Sequence, residues 1–140
     1  MNLSSIKKAR TRIADVVKLT PLDFNYRLSD KYDSNISLKR EDLQIVRSYK
    51  IRGAYNKISK LTVPQRFYGV VCASAGNHAQ GVALACSKLK IKAVIFMPMT
   101  TPEQKITQVR LFGKSFVEIK LVGDTYDDSE FAALKYCEFP

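Results

Sequence analysis

Phe67-Tyr68-Gly69-Val70-Val71-Cys72-Ala73, then Ser74-Ala75-Gly76-Asn77, then His78 to Leu89, then Ala93-Val94-Ile95-Phe96-Met97: this stretch decides the fold class. The first segment is a short, continuous apolar run rich in valine, which reads as a strand buried on both faces. Ser74 to Asn77 breaks the run with small turn formers. Val82, Leu84, Ala85 and Leu89 then carry helical spacing from His78 to Leu89. Ala93 to Met97 is a second buried strand, closed by Pro98. Further on, Thr101-Pro102-Glu103 opens another helix, with Thr101 read as the N-cap and Pro102 as the first helical residue. Phe116 to Ile119 with Leu121-Val122 predicts a third strand, and Asp124 to Tyr136 a last helix. Strands and helices alternating over short links predict an α/β protein: an open parallel sheet with flanking helices and right-handed crossovers.

Toward the N-terminus the pattern is looser. Ile6, Ile13, Val16 and Val17 predict a helix over residues 4–18, ended by Thr20-Pro21 because a residue before proline is pushed away from helical geometry. Ile36 to Lys39 alternates like a short strand. From Ser48 to Leu61, Ile51, Ala54, Tyr55, Ile58 and Leu61 recur three or four apart and predict an amphipathic helix.

Composition excludes several classes. The chain has 140 residues, 46% of them apolar, which is room for one domain or a little more and enough for a packed core. Its net charge of +10 is uneven, with 15 basic and 6 acidic side chains in residues 1–66 against 8 and 7 in the rest. The basic residues of the front part are scattered among Asp15, Asp23, Asp30, Asp33, Glu41 and Asp42, so a solvated mixed surface is expected rather than a nucleic-acid partner. A basic pocket for a phosphorylated cofactor or a carboxylate substrate also fits. No apolar run approaches the roughly 20 residues that span a bilayer, so no membrane partner is expected. The first residues reach charge at Lys7-Lys8 without an apolar core, so secretion is not expected either. Cys72, Cys86 and Cys137 are odd in number and widely spaced, which supports neither a disulfide framework nor a zinc site. His78 is the only histidine, so no metal ligand set is expected; the chain reads as reduced, soluble and cytoplasmic.

Two segments carry candidate chemistry. In an open α/β sheet the ligand sits beyond the carboxyl ends of the strands, where loops lead into helix N-termini. Ser74-Ala75-Gly76-Asn77-His78 lies at such a place; its small residues let backbone N–H groups approach an anion, and the helix behind it offers a positive dipole end. Such a loop also serves elsewhere as mere punctuation. Neither standard nucleotide loop is present: Val82-Ala83 stands where a P-loop needs Lys and Ser or Thr, and no G-x-G-x-x-G occurs. The second segment is Ser48-Tyr49-Lys50-Ile51-Arg52-Gly53-Ala54. Lys50 falls in the first turn of a predicted helix, where the dipole disfavours a cation, so its amine is easier to hold neutral and nucleophilic. A purely structural or solvated lysine fits that position as well.

Together these residues resemble the serine/threonine dehydratase family of pyridoxal-phosphate enzymes, which has the tryptophan-synthase-like fold. Ser48 to Ala54 is similar to its cofactor attachment motif, and Ser74-Ala75-Gly76-Asn77-His78-Ala79-Gln80-Gly81-Val82-Ala83 to its substrate loop. Thr20-Pro21-Leu22 upstream and Phe96-Met97-Pro98 downstream agree in order and spacing. Lys39-Arg40-Glu41-Asp42-Leu43-Gln44, Thr101 to Lys105 and Val122 to Asp128 resemble the biosynthetic threonine dehydratases more than their catabolic or serine-specific relatives. Ile45, where proline is usual, and Tyr49, where phenylalanine is commoner, are tolerable departures.

The resemblance implies pyridoxal 5'-phosphate as cofactor and an α,β-elimination that turns threonine into 2-oxobutanoate and ammonia, the first step of isoleucine synthesis. It implies that Lys50 forms the Schiff-base link and removes the substrate α-proton. Asn77 would hydrogen-bond the cofactor's ring hydroxyl, and Tyr49 would flank its ring. Ser74, Ala75, Gly76, Asn77 and His78 would cradle the substrate carboxylate, with His78 supporting the loop rather than transferring protons. Residues 1–52 would belong to a large cofactor domain and 53–140 to a small domain, in an enzyme that is a homo-oligomer when whole. No glycine-rich run occurs in the sequence, so the loop that holds the cofactor phosphate is expected beyond Pro140, and the chain reads as the front part of an enzyme. A serine dehydratase or serine racemase relative, or a truncated α/β module without catalysis, are the alternative readings.

Overall fold

A computed structural model describes residues 2–138. The elements are α1 (Leu3–Ile13), β1 (Leu22–Phe24), α2 (Tyr26–Tyr32), β2 (Ser37–Lys39), α3 (Lys50–Ile58), α4 (Val63–Tyr68), β3 (Val70–Ala73), α5 (Asn77–Leu89), β4 (Ala93–Met97), α6 (Glu103–Gly113), β5 (Val117–Leu121) and α7 (Tyr126–Glu138). The expected parallel sheet is present in the order β3-β4-β5. Its register sets Val70 beside Ala93 and Ala73 beside Phe96, then Ala93 beside Val117 and Met97 beside Leu121. Each crossover moves the chain one strand along, which places α5 and α6 on one face; α7 returns over β3 and β4 on the other.

The core lies where β4 meets α5. Ile95 and Met97 of the central strand are fully buried, as are Ala79, Ala83 and Cys86 of the helix. Burying a side chain such as Ile95 contributes roughly 1.5–3 kcal/mol. α3 packs along the outer side of α5 and adds Ile51, Ala54 and Ile58 to the same core. Before α3, β1 and β2 form a separate antiparallel ladder that pairs Leu22 with Lys39 and Phe24 with Ser37, and all six of its residues are exposed.

Four local readings need correction. Phe67 and Tyr68 are helical rather than the start of a strand, and Phe67 is 88% exposed. The Thr62 backbone N–H donates to the Gln65 side-chain oxygen at 2.9 Å, Pro64 fits the first turn, and Gly69 at φ +88° stops the helix. These helix signals outweigh the aromatic, strand-like composition. Second, β3 is half-buried apart from Cys72, because it is an edge strand of the described sheet. Third, Thr101 does not cap α6: the Pro102 carbonyl accepts from the Lys105 N–H at 2.9 Å, while the Thr101 hydroxyl is buried without a partner. Fourth, the first helix stops at Ile13, with Ile6 49% exposed, and β1 and α2 follow in a region where no element was predicted.

Candidate active site

The lysine segment is shaped before α3 begins. Gln44 is buried and brackets the backbone of Lys18: the Lys18 N–H donates to its Oε1 at 3.0 Å, and its Nε2 donates to the Lys18 carbonyl at 2.9 Å. Arg47 then adopts φ +56°, a left-handed conformation that side-chain-bearing residues rarely hold. Ser48 is buried with its hydroxyl unpartnered, Tyr49 caps α3 with a ring 59% exposed, and Lys50 is the first helical residue. Lys50 is half-buried, and its amine lies 5.2 Å from the centre of the Tyr49 ring. That placement is the first-turn position predicted from sequence.

The loop after β3 supplies the other half. Ser74, Ala75 and Gly76 are half-buried; Asn77 and His78 are exposed and open α5. The Ser74 N–H donates to the Phe96 carbonyl at 3.0 Å, tying the loop to β4, and the Ser74 hydroxyl accepts from the Gly76 N–H at 3.3 Å. No side chain caps α5, and a Cβ on Gly76 would meet nothing within 4 Å. The helix therefore presents its first N–H groups and positive dipole end to open space, which suits a carboxylate. The His78 pKa is lowered, first because part of the ring has lost water and second because the Lys50 ammonium is near.

Gly81 joins the two halves. Its Cα lies so close to α3 that a Cβ would stand 3.2 Å from both the Lys50 carbonyl carbon and the Ile51 nitrogen. The absence of a side chain at Gly81 thereby lets the start of α3 pack close to the N-terminal half of α5. The sequence signal was available: a glycine inside an alanine-rich helix is a costly choice unless another backbone must come close. Glu41 and Arg52, for which the sequence suggests no role, form the most enclosed ion pair among the described residues, with Arg52 Nε 2.8 Å from a Glu41 oxygen.

A groove of 570 Å³ runs between α3, the edge of β3 and α7, and His78 alone of the anticipated site residues lines it. It is mostly apolar and excludes the Lys50 amine, so the site is better placed at the meeting of Lys50 with the start of α5.

A family model described as pyridoxal-phosphate dependent enzyme matches residues 13–139. The chain belongs to the pyridoxal-phosphate dependent enzymes. Its sequence is 56% identical over 138 residues to the biosynthetic L-threonine dehydratase of Bacillus subtilis, covering 99% of this chain and 33% of that protein. Its fold superposes on the processed form of threonine deaminase isoform 2 from Solanum lycopersicum with a TM-score of 0.83 at 41% identity, over 99% of this chain and 39% of that one. Maize serine racemase gives a TM-score of 0.88 at 32% identity, over 98% and 41%. The chain spans about a third of the length of the curated relatives it matches.

The residues present fit this family's cofactor. Half-buried Lys50 carries a primary amine by an aromatic ring, two residues after a serine whose buried hydroxyl is unpartnered, and its peptide lies close to a helix whose start is uncapped. The fit covers the amine and carboxylate ends, since the six glycines of the sequence stand singly and form no phosphate cradle.

Proposed function

We propose that this chain is the lysine-bearing and carboxylate-binding portion of a threonine ammonia-lyase, which converts L-threonine to 2-oxobutanoate and ammonia at the start of isoleucine synthesis. The observation that supports the reading is the close approach of Gly81 to the Lys50–Ile51 peptide, which brings Lys50 to the helix whose start would receive the substrate carboxylate. When bound, the cofactor supplies an electron sink for the α-carbon of the amino acid. Lys50 would hold it through the amine and then take the α-proton, at Nζ. The N–H groups at the start of α5, together with Ser74, Ala75, Gly76, Asn77 and His78, would orient the carboxylate, the dipole opposing its negative charge. The exposed Asn77 amide would reach the cofactor's ring hydroxyl, and Tyr49, which already covers the Lys50 amine, would flank the ring and exclude water from one side.

The identity of 56–57% to threonine dehydratases, against 32% to maize serine racemase, favours threonine over serine as the substrate. The division into a large-domain part, residues 1–52, and a small-domain part, residues 53–140, is supported by the β1–β2 ladder, whose Leu22 and Phe24 stay exposed among the described residues. Ile51, buried under α5, ties the two parts together. A homo-oligomeric, cytoplasmic whole with an amino acid as its ligand completes the proposal; among the described residues no helix is long and apolar enough to cross a membrane.

The test is direct. Pyridoxal phosphate is added to the chain, the adduct is reduced with borohydride, and the modified residue is mapped by mass spectrometry. An adduct at Lys50 is expected in a full-length enzyme that contains this chain, lost in Lys50→Ala; in that enzyme modification elsewhere, or none, overturns the assignment, whereas failure of the 140-residue chain alone to take the adduct favours the truncated, non-catalytic reading. In the full chain, faster turnover of serine than of threonine would instead favour the serine-specific reading.

A further inference from the structure

Lys39 to Gln44 has no part in the chemistry above, yet its side chains form the densest polar network of the described residues. Arg52 donates from Nε and Nη2 to the two Glu41 oxygens, each at 2.8 Å. The Thr20 hydroxyl donates to Glu41 Oε1 at 2.6 Å, and Gln44 Nε2 donates to Oε2 at 3.4 Å. Arg52 Nη2 also reaches the Lys18 carbonyl at 3.3 Å, the same oxygen that Gln44 holds. The pair is enclosed, with Glu41 16% and Arg52 31% exposed. A two-pronged guanidinium–carboxylate contact of this kind fixes direction as well as distance.

Its position matters more than its strength. Arg52 lies two residues after Lys50, and Glu41 six before the left-handed Arg47. The pair therefore closes residues 41–52 into a loop that contains the strained residue and the whole Ser48–Lys50 turn. A left-handed residue persists only where its surroundings hold it there. On the opposite side the Lys50 carbonyl carbon meets Gly81.

We propose that Glu41 and Arg52 act as one positioning device for Lys50, holding its turn closed and pressed against Gly81 of α5. The role rests on the reading of Lys50 as the cofactor lysine, but the device itself is measurable without cofactor. In the full chain, freed of cofactor, amide exchange is compared between residues 49–53 and residues 106–109 of α6, and amine acetylation between Lys50 and Lys57. In Glu41→Gln, exchange at 49–53 should rise about tenfold, the size of coupling that contacting groups in one network carry, with α6 unmoved and the Lys50 to Lys57 acetylation ratio changed. Arg52→Lys, which keeps the charge and loses the fork, should fall between wild type and Glu41→Gln. The double variant Glu41→Gln with Arg52→Gln should be no worse than either single change.

Exchange unmoved by Glu41→Gln, or raised equally in α6, overturns the positioning role. The borohydride test separates this from the larger reading. Wild-type protein that takes the adduct at Lys50 while exchange stays unmoved loses only the positioning role; wild-type protein that takes none at Lys50 loses both.

Discussion

Gly81 leaves no room for a side chain beside the peptide that joins Lys50 to Ile51: a Cβ on Gly81 would stand 3.2 Å from the Lys50 carbonyl carbon and 3.3 Å from its oxygen. The atoms in the way are backbone, so they yield only if the start of α3 moves. Gly81→Ala thus sets two effects against each other. Alanine favours the helix by about 0.5–1 kcal/mol, while overpacking costs about 1–3 kcal/mol. Packing wins, and urea unfolding should show a net loss of about 1 kcal/mol or more. Gly53→Ala is the matched control: its Cβ meets nothing within 4 Å, so it should be neutral or stabilise by about 0.5–1 kcal/mol. Equal effects of the two substitutions would remove the contact from the account of the site.

Glu41 makes stability depend on acid. Its carboxyl is lowered from the ordinary 4.5 to about 2, chiefly by the hydrogen bonds from Arg52, with Thr20 and the Arg52 charge adding to the effect and burial opposing it. A carboxyl with a depressed folded-state value contributes stability fully above its unfolded value and loses it as pH falls toward the folded one. The loss therefore falls between about pH 4.5 and about pH 2. Discounted for screening at a site that water still reaches, it amounts to about 1–2 kcal/mol. Asp42 and Asp128 are lowered as well and share this acid limb. The difference between the wild-type and Glu41→Gln curves isolates the Glu41 part, and the two curves should converge at low pH; curves that stay parallel would exclude this carboxylate as a source of the acid limb.

How much of this was legible in the sequence varies with how local the signal is. Ala93 to Met97 reads as a buried strand and is one, because its apolar run is only five residues long, rich in β-branched side chains and closed by Pro98. Phe67 and Tyr68 misled, since their composition says strand while Thr62, Pro64 and Gly69 say helix, and punctuation governs short segments. Lys50 could be placed in a first helical turn from spacing alone, but its chemistry came from resemblance. A glycine inside an alanine-rich helix signals that some backbone comes close, but that it is the Lys50 peptide, 31 positions away, and that Glu41 pairs with Arg52, 11 positions away, is decided by the fold. No window along the chain contains that information.

The three thiols should differ in reactivity. Burial pushes the Cys72 thiol up to about 11 and the Cys86 thiol up to about 12, so neither supplies thiolate near neutral pH. Cys137 is exposed on α7. Alkylation of the folded 140-residue chain at pH 8 should modify Cys137 first, with Cys72 and Cys86 reacting only as the chain opens, and all three should react in denaturant. Early modification of Cys86, fully buried in the C-terminal half of α5, would contradict the packing of that helix on β4.

His78 offers a direct probe of the Lys50 charge, because one histidine gives a single imidazole Hε1 signal in a proton NMR titration. Its pKa is lowered from 6.5, first by partial loss of water around the ring and then by the Lys50 ammonium. A histidine lowered in the folded state favours folding above its unfolded value and loses that contribution as pH falls through the folded one. Lys50→Met keeps the length of the side chain and removes its charge. The His78 midpoint should then move up toward 6.5 without reaching it, because the desolvation remains. Reducing the cofactor adduct onto Lys50 tests the same charge differently: the product is a secondary amine that stays cationic, accompanied by a phosphate, so any rise in the midpoint there reports the phosphate and not a lost ammonium. A midpoint that does not move in Lys50→Met would put the amine too far from the start of α5 to serve a carboxylate held there.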